Sequence, residues 1–385
     1  MDFQMSDYEV VIVGGGPAGC SSALELVQLN EAIANRVLLL DKSIFPRSKL
    51  CAGGVSVDSE AVLRELNLDV DVPTIPVHTT QFVLPTGRLT FKKDDQFRVL
   101  RRTDFDHFLL REVQARKVQV HEDEAVLDVV VTKDNVIVRS NKRQYRTKIL
   151  IAADGANSRV RNSLGLTRSG RMMVGMELHV PSKKVNIPNF APNMAVLDFC
   201  ILNYGVPGYC WVFPAVSNDE PVVSLGLMSA PFNSGDSVRL KRIFDGWLNQ
   251  LGVALSDYEI SSHPALRYES KAPCSQSRVL FVGDAAGVEP LFGEGIVSAL
   301  AFGRLAAMTA VKALRDDNFT FSKYEGLVRS SSIGSQMRRR RMIARRLYST
   351  PRFARMFLKQ GALIKGLALL HIHKYGGEIS WEPNA

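Results

Sequence analysis

The sequence predicts a mixed α/β (α+β) chain: a strand–turn–helix layer, an antiparallel sheet inserted into it, and a helical C-terminal region. Three observations carry this expectation. The β-branched run Tyr8 to Val13 leads directly into the turn Gly14-Gly15-Gly16-Pro17-Ala18-Gly19 and a helical segment from Cys20 to Asn30. The stretches 76–97 and 168–264 carry short strand patterns, such as Met194 to Leu202 and Val222 to Met228. Beyond residue 320, apolar residues recur near helical spacing among many basic ones.

The opening segment is G-x-G-x-x-G between a strand and a helix, the context in which this spacing marks a Rossmann-type dinucleotide site. Gly14 makes the turn, Gly16 lets backbone approach a pyrophosphate, and Gly19 lets the helix pack on the strand. The N-terminus of the helix that follows offers free N–H groups to phosphate. A second strand, Arg36 to Leu40, ends on Asp41, an acceptor placed for ribose hydroxyls.

Composition narrows the class. The hydrophobic share of 46% and charged share of 23% are those of an ordinary globular protein. No uncharged apolar run reaches the length of a spanning helix, and the acidic start shows no secretory signal. The five cysteines (Cys20, Cys51, Cys200, Cys210, Cys274) have no metal-ligand spacing. No metal is therefore expected, and the reading is of a reducing, cytoplasmic protein. The net charge of +9 is uneven: eleven of the 48 Lys and Arg lie between Arg338 and Gly377, where there is no Asp or Glu. The remaining chain is slightly acidic, which argues against nucleic acid as a partner.

Two later segments discriminate among dinucleotides. The strand Lys148 to Ala153 runs into Asp154-Gly155-Ala156-Asn157-Ser158-Arg159, and Val279 to Val282 runs into Gly283-Asp284-Ala285-Ala286-Gly287 and then Gly293-Glu294-Gly295-Ile296. These resemble the middle and late FAD motifs of the para-hydroxybenzoate hydroxylase-like superfamily, and Arg102 matches that family's arginine between its first two motifs. The resemblance implies FAD held by Gly14, Gly16, Pro17, Ala18, Gly19, Asp41, Arg102, Asp154, Gly155, Gly283, Asp284, Gly293, Gly295 and Ile296. A long apolar helix, Ile296 to Leu314, would present its positive end to the flavin.

Two further segments are similar to geranylgeranyl reductases: Cys51-Ala52-Gly53-Gly54, and Gly208-Tyr209-Cys210-Trp211-Val212-Phe213-Pro214. By that resemblance, Cys51 is the candidate catalytic thiol. Gly53 and Gly54, with Tyr209, Trp211 and Phe213, would face the substrate. The Tyr/Trp/Phe alternation puts three rings on one strand face, either lining an apolar slot or packing as ordinary core. Cys51 is either a reactive thiol or a small packing residue. The chain departs from the family where Ser224-Leu225-Gly226 replaces a Gly-x-Gly.

The resemblance implies reduction of carbon–carbon double bonds in a prenyl or other apolar substrate. Flavin monooxygenases share the FAD motifs, so hydroxylation of an aromatic or protein-bound substrate is the alternative. Halogenation ranks lower, because Gly208 to Pro214 lacks the first tryptophan and the isoleucine of the halogenase segment, and a non-catalytic electron carrier is the third reading. With no second G-x-G-x-x-G, electrons are expected from transiently docked NAD(P)H or from a redox protein.

The implied organisation is discontinuous. Residues 1–75, 98–167 and 265–320 form the FAD-binding domain, residues 76–97 and 168–264 the substrate-binding sheet, and residues 321–385 a basic helical tail. That tail is read either as a cap packed on the FAD domain or as a peripheral contact with the inner membrane face. His371 and His373 are poorly spaced for shared ligation on a helix.

Overall fold

The computed structural model describes residues 5–166, 171–187, 190–217, 220–231, 237–348 and 376–383. The amphipathic pattern read at residues 353–370 and the pair His371/His373 lie outside them.

Two sheets organise the chain. In the first, Met5–Val13 is the parallel centre, flanked by Val37–Leu40 on one side and Gln144–Ala152 on the other. Gln119–His121 and Val279–Phe281 extend it outward in parallel. The central residues Val10, Val11 and Ile12 and all of Val37–Leu40 are buried, as expected of a sheet covered on both faces. Helix Pro17–Leu29 follows the first strand and packs against the long helix Gly295–Asp316. Their backbones nearly touch: a Cβ on Gly303 would sit 2.5 Å from the Ala18 carbonyl oxygen. Ser21 Oγ donates to the Leu300 carbonyl at 2.6 Å, and Arg304 bridges to Glu25 at 2.8 Å. Gly295–Asp316 is long and apolar enough to cross a membrane, but 61% of its most apolar window is buried inside the protein, as suits a core helix.

The second sheet is nine-stranded and largely antiparallel. Its centre runs Met172–Pro181, Glu220–Ser229, Gly208–Ser217, Met194–Asp198, with Thr74–Leu84 and Gly87–Leu100 beyond. Its outer face is covered by helix Ser237–Gln250, whose Phe244, Trp247 and Leu248 pack with Cys210, Val212, Leu225 and Leu227. The strand read as Met194 to Leu202 stops earlier, at Asp198. The Asp198 carboxylate accepts the Cys200 N–H at 2.8 Å and turns the chain into the short helical segment Cys200–Tyr204.

The C-terminal region contains helices Tyr324–Ser330 and Ser332–Tyr348, and then a strand, Glu378–Pro383, on the edge beside Gly87–Leu100. Met337, Ala344, Leu347 and Tyr348 bury one side of Ser332–Tyr348 on the body of the protein, while Arg339, Arg345 and Arg346 face outward.

The crossing at Gly303 predicts that Gly303→Val lowers stability by about 1–3 kcal/mol, since the added side chain would run into the Ala18 carbonyl, the Ser21 Cβ and the Ser22 nitrogen, none of which can swing aside. Gly326→Ala, at a helical position with nothing within 4 Å of the new Cβ, should be neutral or stabilising by about 0.5 kcal/mol. Denaturant unfolding of the two variants checks both.

Candidate active site

The glycine-rich turn shows why each glycine stands where it does. Gly14 has φ +108°, and a Cβ there would lie 2.3 Å from the Ala153 carbonyl oxygen. A Cβ on Gly19 would lie 1.8 Å from the Gly14 carbonyl oxygen. Gly16 differs: a Cβ there would make only an ordinary contact, with the Arg47 guanidinium at 3.6 Å. It precedes Pro17 at the start of a helix whose first turn has no side-chain cap, so its backbone donors remain available. Asp41 is tied into this turn, accepting the Gly15 N–H at 2.7 Å and the Ser43 N–H at 2.8 Å.

Between the two sheets lies a cavity of about 910 Å³, at the upper end of the roughly 300–1,000 Å³ of ligand sites. Gly14, Gly16, Pro17, Ala18, Asp41, Arg102, Asp154, Gly155, Gly283, Asp284, Gly293, Gly295 and Ile296 line it, and so do Cys51, Gly53, Gly54, Tyr209, Trp211 and Phe213. Gly19 does not, being turned into the helix–strand contact.

One end of the cavity is polar. Asp154 accepts the Val160 N–H through Oδ2 at 3.0 Å, while its Oδ1 is buried with no hydrogen-bond partner. Burial raises the pKa of this carboxyl, against the backbone donors that lower it. Arg161 ties this segment to the late motif, donating to the Ala285 carbonyl at 2.6 Å with its guanidinium 4.2 Å above the Phe281 ring. Arg102 forms a bidentate pair with the buried Asp106, at 2.7 and 2.8 Å, and Arg47 joins the same carboxylate at 3.1 Å.

The other end is apolar. Tyr209, Trp211 and Phe213 project from one face of Gly208–Ser217, while Cys210 and Val212 enter the core on the opposite face. Phe82, Phe97, Phe292, Met173 and Met228 complete the wall. Tyr209 donates its hydroxyl to the Phe292 carbonyl, and the Phe97 and Phe213 rings lie 5.7 Å apart.

The loop carrying Cys51 runs along this cavity. Gly53 has φ +78°, and a Cβ there would meet the Leu100 carbonyl oxygen at 2.0 Å. Its need for glycine therefore comes from packing on Leu100. Gly54 lies beneath Phe213, whose ring edge would be 3.5 Å from an added Cβ.

The sequence reading passed over several residues of the wall. Lys49 Nζ meets His263 Nε2 at the cavity edge. Burial lowers the Lys49 pKa and, with the nearby Lys49 charge, pushes His263 down to about 4. The imidazole is thus neutral at physiological pH and accepts from the ammonium. Glu177, under the Cys51 loop, was missed as well. Its signal was a lone carboxylate within the apolar run Met172 to Val180. Arg340 and Arg341, in the basic tail read either as a packed cap or as a membrane contact, point inward. Arg340 pairs with Glu289 and Glu294, Arg341 pairs with Glu269, and Arg340 also lines the cavity. A charge run on a helix divides between faces, and here one face meets buried acids.

A family model described as FAD binding domain matches residues 7–300. The chain belongs to this FAD-binding family. It is an FAD-dependent oxidoreductase, and the cavity fits the cofactor. Two helices start at its wall without side-chain caps, the Gly16 side of the glycine turn meets no backbone within 4 Å of a built Cβ, and a buried carboxylate oxygen of Asp154 lacks a donor. The chain is 28% identical over 332 residues to digeranylgeranylglycerophospholipid reductase 1 of Methanopyrus kandleri, covering 82% of this chain and 84% of that protein. Its fold is similar to a geranylgeranyl bacteriochlorophyll reductase-like structure from Thermoplasma acidophilum, with TM-score 0.75 and 21% identity over 90% of this chain and 88% of that one. It is also similar in fold to a flavin-dependent brominase, with TM-score 0.68 and 20% identity over 94% and 92% of the two chains.

Arg340 yields a prediction with a pH signature. Glu289 is fully buried, and burial raises its pKa against the opposing Arg340 charge. Arg340→Ala removes that charge and raises the folded-state pKa further above the unfolded one. The variant should lose about 3 kcal/mol at pH 7. The deficit should shrink as pH falls through the raised folded-state pKa of Glu289, above the ordinary carboxylate range, because below it the carboxyl is neutral in both folded proteins. Denaturant unfolding at several pH values measures it.

Proposed function

We propose that this enzyme reduces carbon–carbon double bonds of a prenyl or other apolar substrate. The observation that supports this is the single undivided cavity, in which the nucleotide turn and the Cys51 loop share a wall with the Tyr209, Trp211 and Phe213 face. An apolar chain laid on that face buries its surface at roughly 25 cal/mol per Å², enough to hold it without any polar handle on the alkene.

In this reading, the backbone N–H groups of Gly16 and Ala18 would hold the FAD phosphates, beside Pro17, which has no N–H to give. Asp41, Asp154 and Asp284 take its hydroxyl groups, and the start of Gly295–Asp316 faces its ring. Bound reduced FAD supplies the hydride. The protein holds the double bond in place, keeps water from it and delivers a proton to the second carbon. Two protic groups line the wall at the Cys51 loop, the Cys51 thiol and the Lys49 ammonium. Burial lowers the Lys49 pKa and makes its ammonium a readier proton donor than an ordinary lysine. Transiently docked NAD(P)H or a redox protein restores the electrons.

Anaerobic incubation of the reduced holoenzyme with geranylgeranyl diphosphate, followed by mass spectrometry, tests the chemistry. Gain of one pair of hydrogens per double bond is expected. No gain with any prenyl lipid, together with oxygen insertion into an aromatic substrate in air, would replace this reading with the monooxygenase one. For the site roles, Asp284→Ala should purify without flavin absorbance, whereas Cys51→Ala should remain yellow. A colourless Cys51→Ala protein would contradict the assignment.

A further inference from the structure

Across the middle of the second sheet, Glu177, Gly226 and Trp211 stand side by side on three adjacent strands, so they share one face. Ser224, two residues before Gly226, shares it too. A Cβ on Gly226 would lie 2.0 Å from the Trp211 ring, so only glycine leaves room for the indole there. The Trp211 indole N–H donates to Ser224 Oγ at 2.9 Å. Ser224 Oγ donates to Glu177 Oε1 at 2.5 Å, and the Cys51 backbone N–H donates to Glu177 Oε2 at 3.1 Å. Ser224, Glu177 and Trp211 are all buried.

The direction of this chain is set by proton count. A serine hydroxyl has one proton, so with the indole donating to its oxygen, Ser224 turns that proton to Glu177. Both carboxylate oxygens are then occupied, one from the aromatic face and one from the loop. The His179 imidazole stands 3.9 Å from Oε1 on the same strand. Glu177 does not line the cavity, so it acts only through what it holds.

We infer that Glu177 is a positioning residue that, through Ser224, couples the seating of the Trp211 indole to the backbone at Cys51. An occupant that shifts the indole changes the Ser224 hydrogen bond, then the carboxylate, then the loop beside the aromatic face. The inference rests on the proposed reading only in taking Trp211 as the substrate side. Its test does not depend on turnover.

The test uses the FAD-loaded protein and reads amide hydrogen exchange over residues 49–53 by mass spectrometry, together with the rate at which N-ethylmaleimide alkylates Cys51. Ser224→Ala touches no loop residue, yet it should speed exchange at the Cys51 amide by about tenfold. Ser224→Thr, which keeps the hydroxyl, should restore the wild-type rate. Trp211→Phe removes the N–H end of the chain together with part of the ring and should act in the same direction, which keeps the test decisive if one variant folds poorly. Glu177→Gln should release the loop directly. Unchanged exchange in both Ser224→Ala and Trp211→Phe, with flavin content intact, would overturn the coupling. Unchanged exchange in Glu177→Gln would overturn the role of the carboxylate. Failure to reduce any prenyl substrate, with the exchange pattern as expected, would instead count against the proposed reaction.

Discussion

Three backbones converge at residues 14 to 19, and the site depends on how closely they approach. The carbonyl of Gly14 lies where a Cβ of Gly19 would be, and the Ala18 carbonyl lies within 2.5 Å of a Cβ built on Gly303. Without glycine at these points, helices Pro17–Leu29 and Gly295–Asp316 would be forced apart. Their uncapped N-termini would then no longer meet the same cavity. Two helix starts at one cavity place partial positive charge where a dinucleotide carries its negative charge.

The second sheet answers a different requirement. Its strands alternate, so one face is committed to the core beneath Ser237–Gln250 and the other is free to line a ligand space. Gly208–Ser217 is the clearest case, with Cys210 and Val212 on one side and three aromatic rings on the other. The hydrogen-bonded chain from Trp211 to Glu177 lies on the cavity side and fastens the Cys51 loop to the sheet. The polar end belongs to the first sheet and the apolar end to the second, so the reacting groups meet where the two sheets face each other.

The C-terminal helix Ser332–Tyr348 contributes to the same cavity. Arg340 reaches the buried Glu289 and Glu294, and Tyr348 donates to the Leu291 carbonyl at 2.8 Å. The segment from Glu289 to Gly295, at the start of the long helix, is thus braced by a part of the chain that sequence alone read either as a packed cap or as a membrane contact. A buried carboxylate needs such a partner, because desolvation penalises its charged form.

What sequence by itself determined is whatever depends on local spacing. The G-x-G-x-x-G turn, the strand ending at Asp41, the start of the long apolar helix and the one-faced aromatic alternation are periodic or contiguous signals, and each was legible in the residues. Strand Met194–Asp198 was read too long, because its stop depends on a carboxylate folding back on its own backbone. The tertiary structure alone decided the residues that matter through partners distant in sequence. Glu177 meets Cys51 across 126 residues, Lys49 meets His263 across 214, and Arg340 meets Glu289 across 51. A charged residue in an apolar strand, or an arginine in a basic run, looks the same in sequence whether it faces water or a buried counter-charge. Only the fold brings that partner within hydrogen-bond reach and excludes the water that would otherwise replace it.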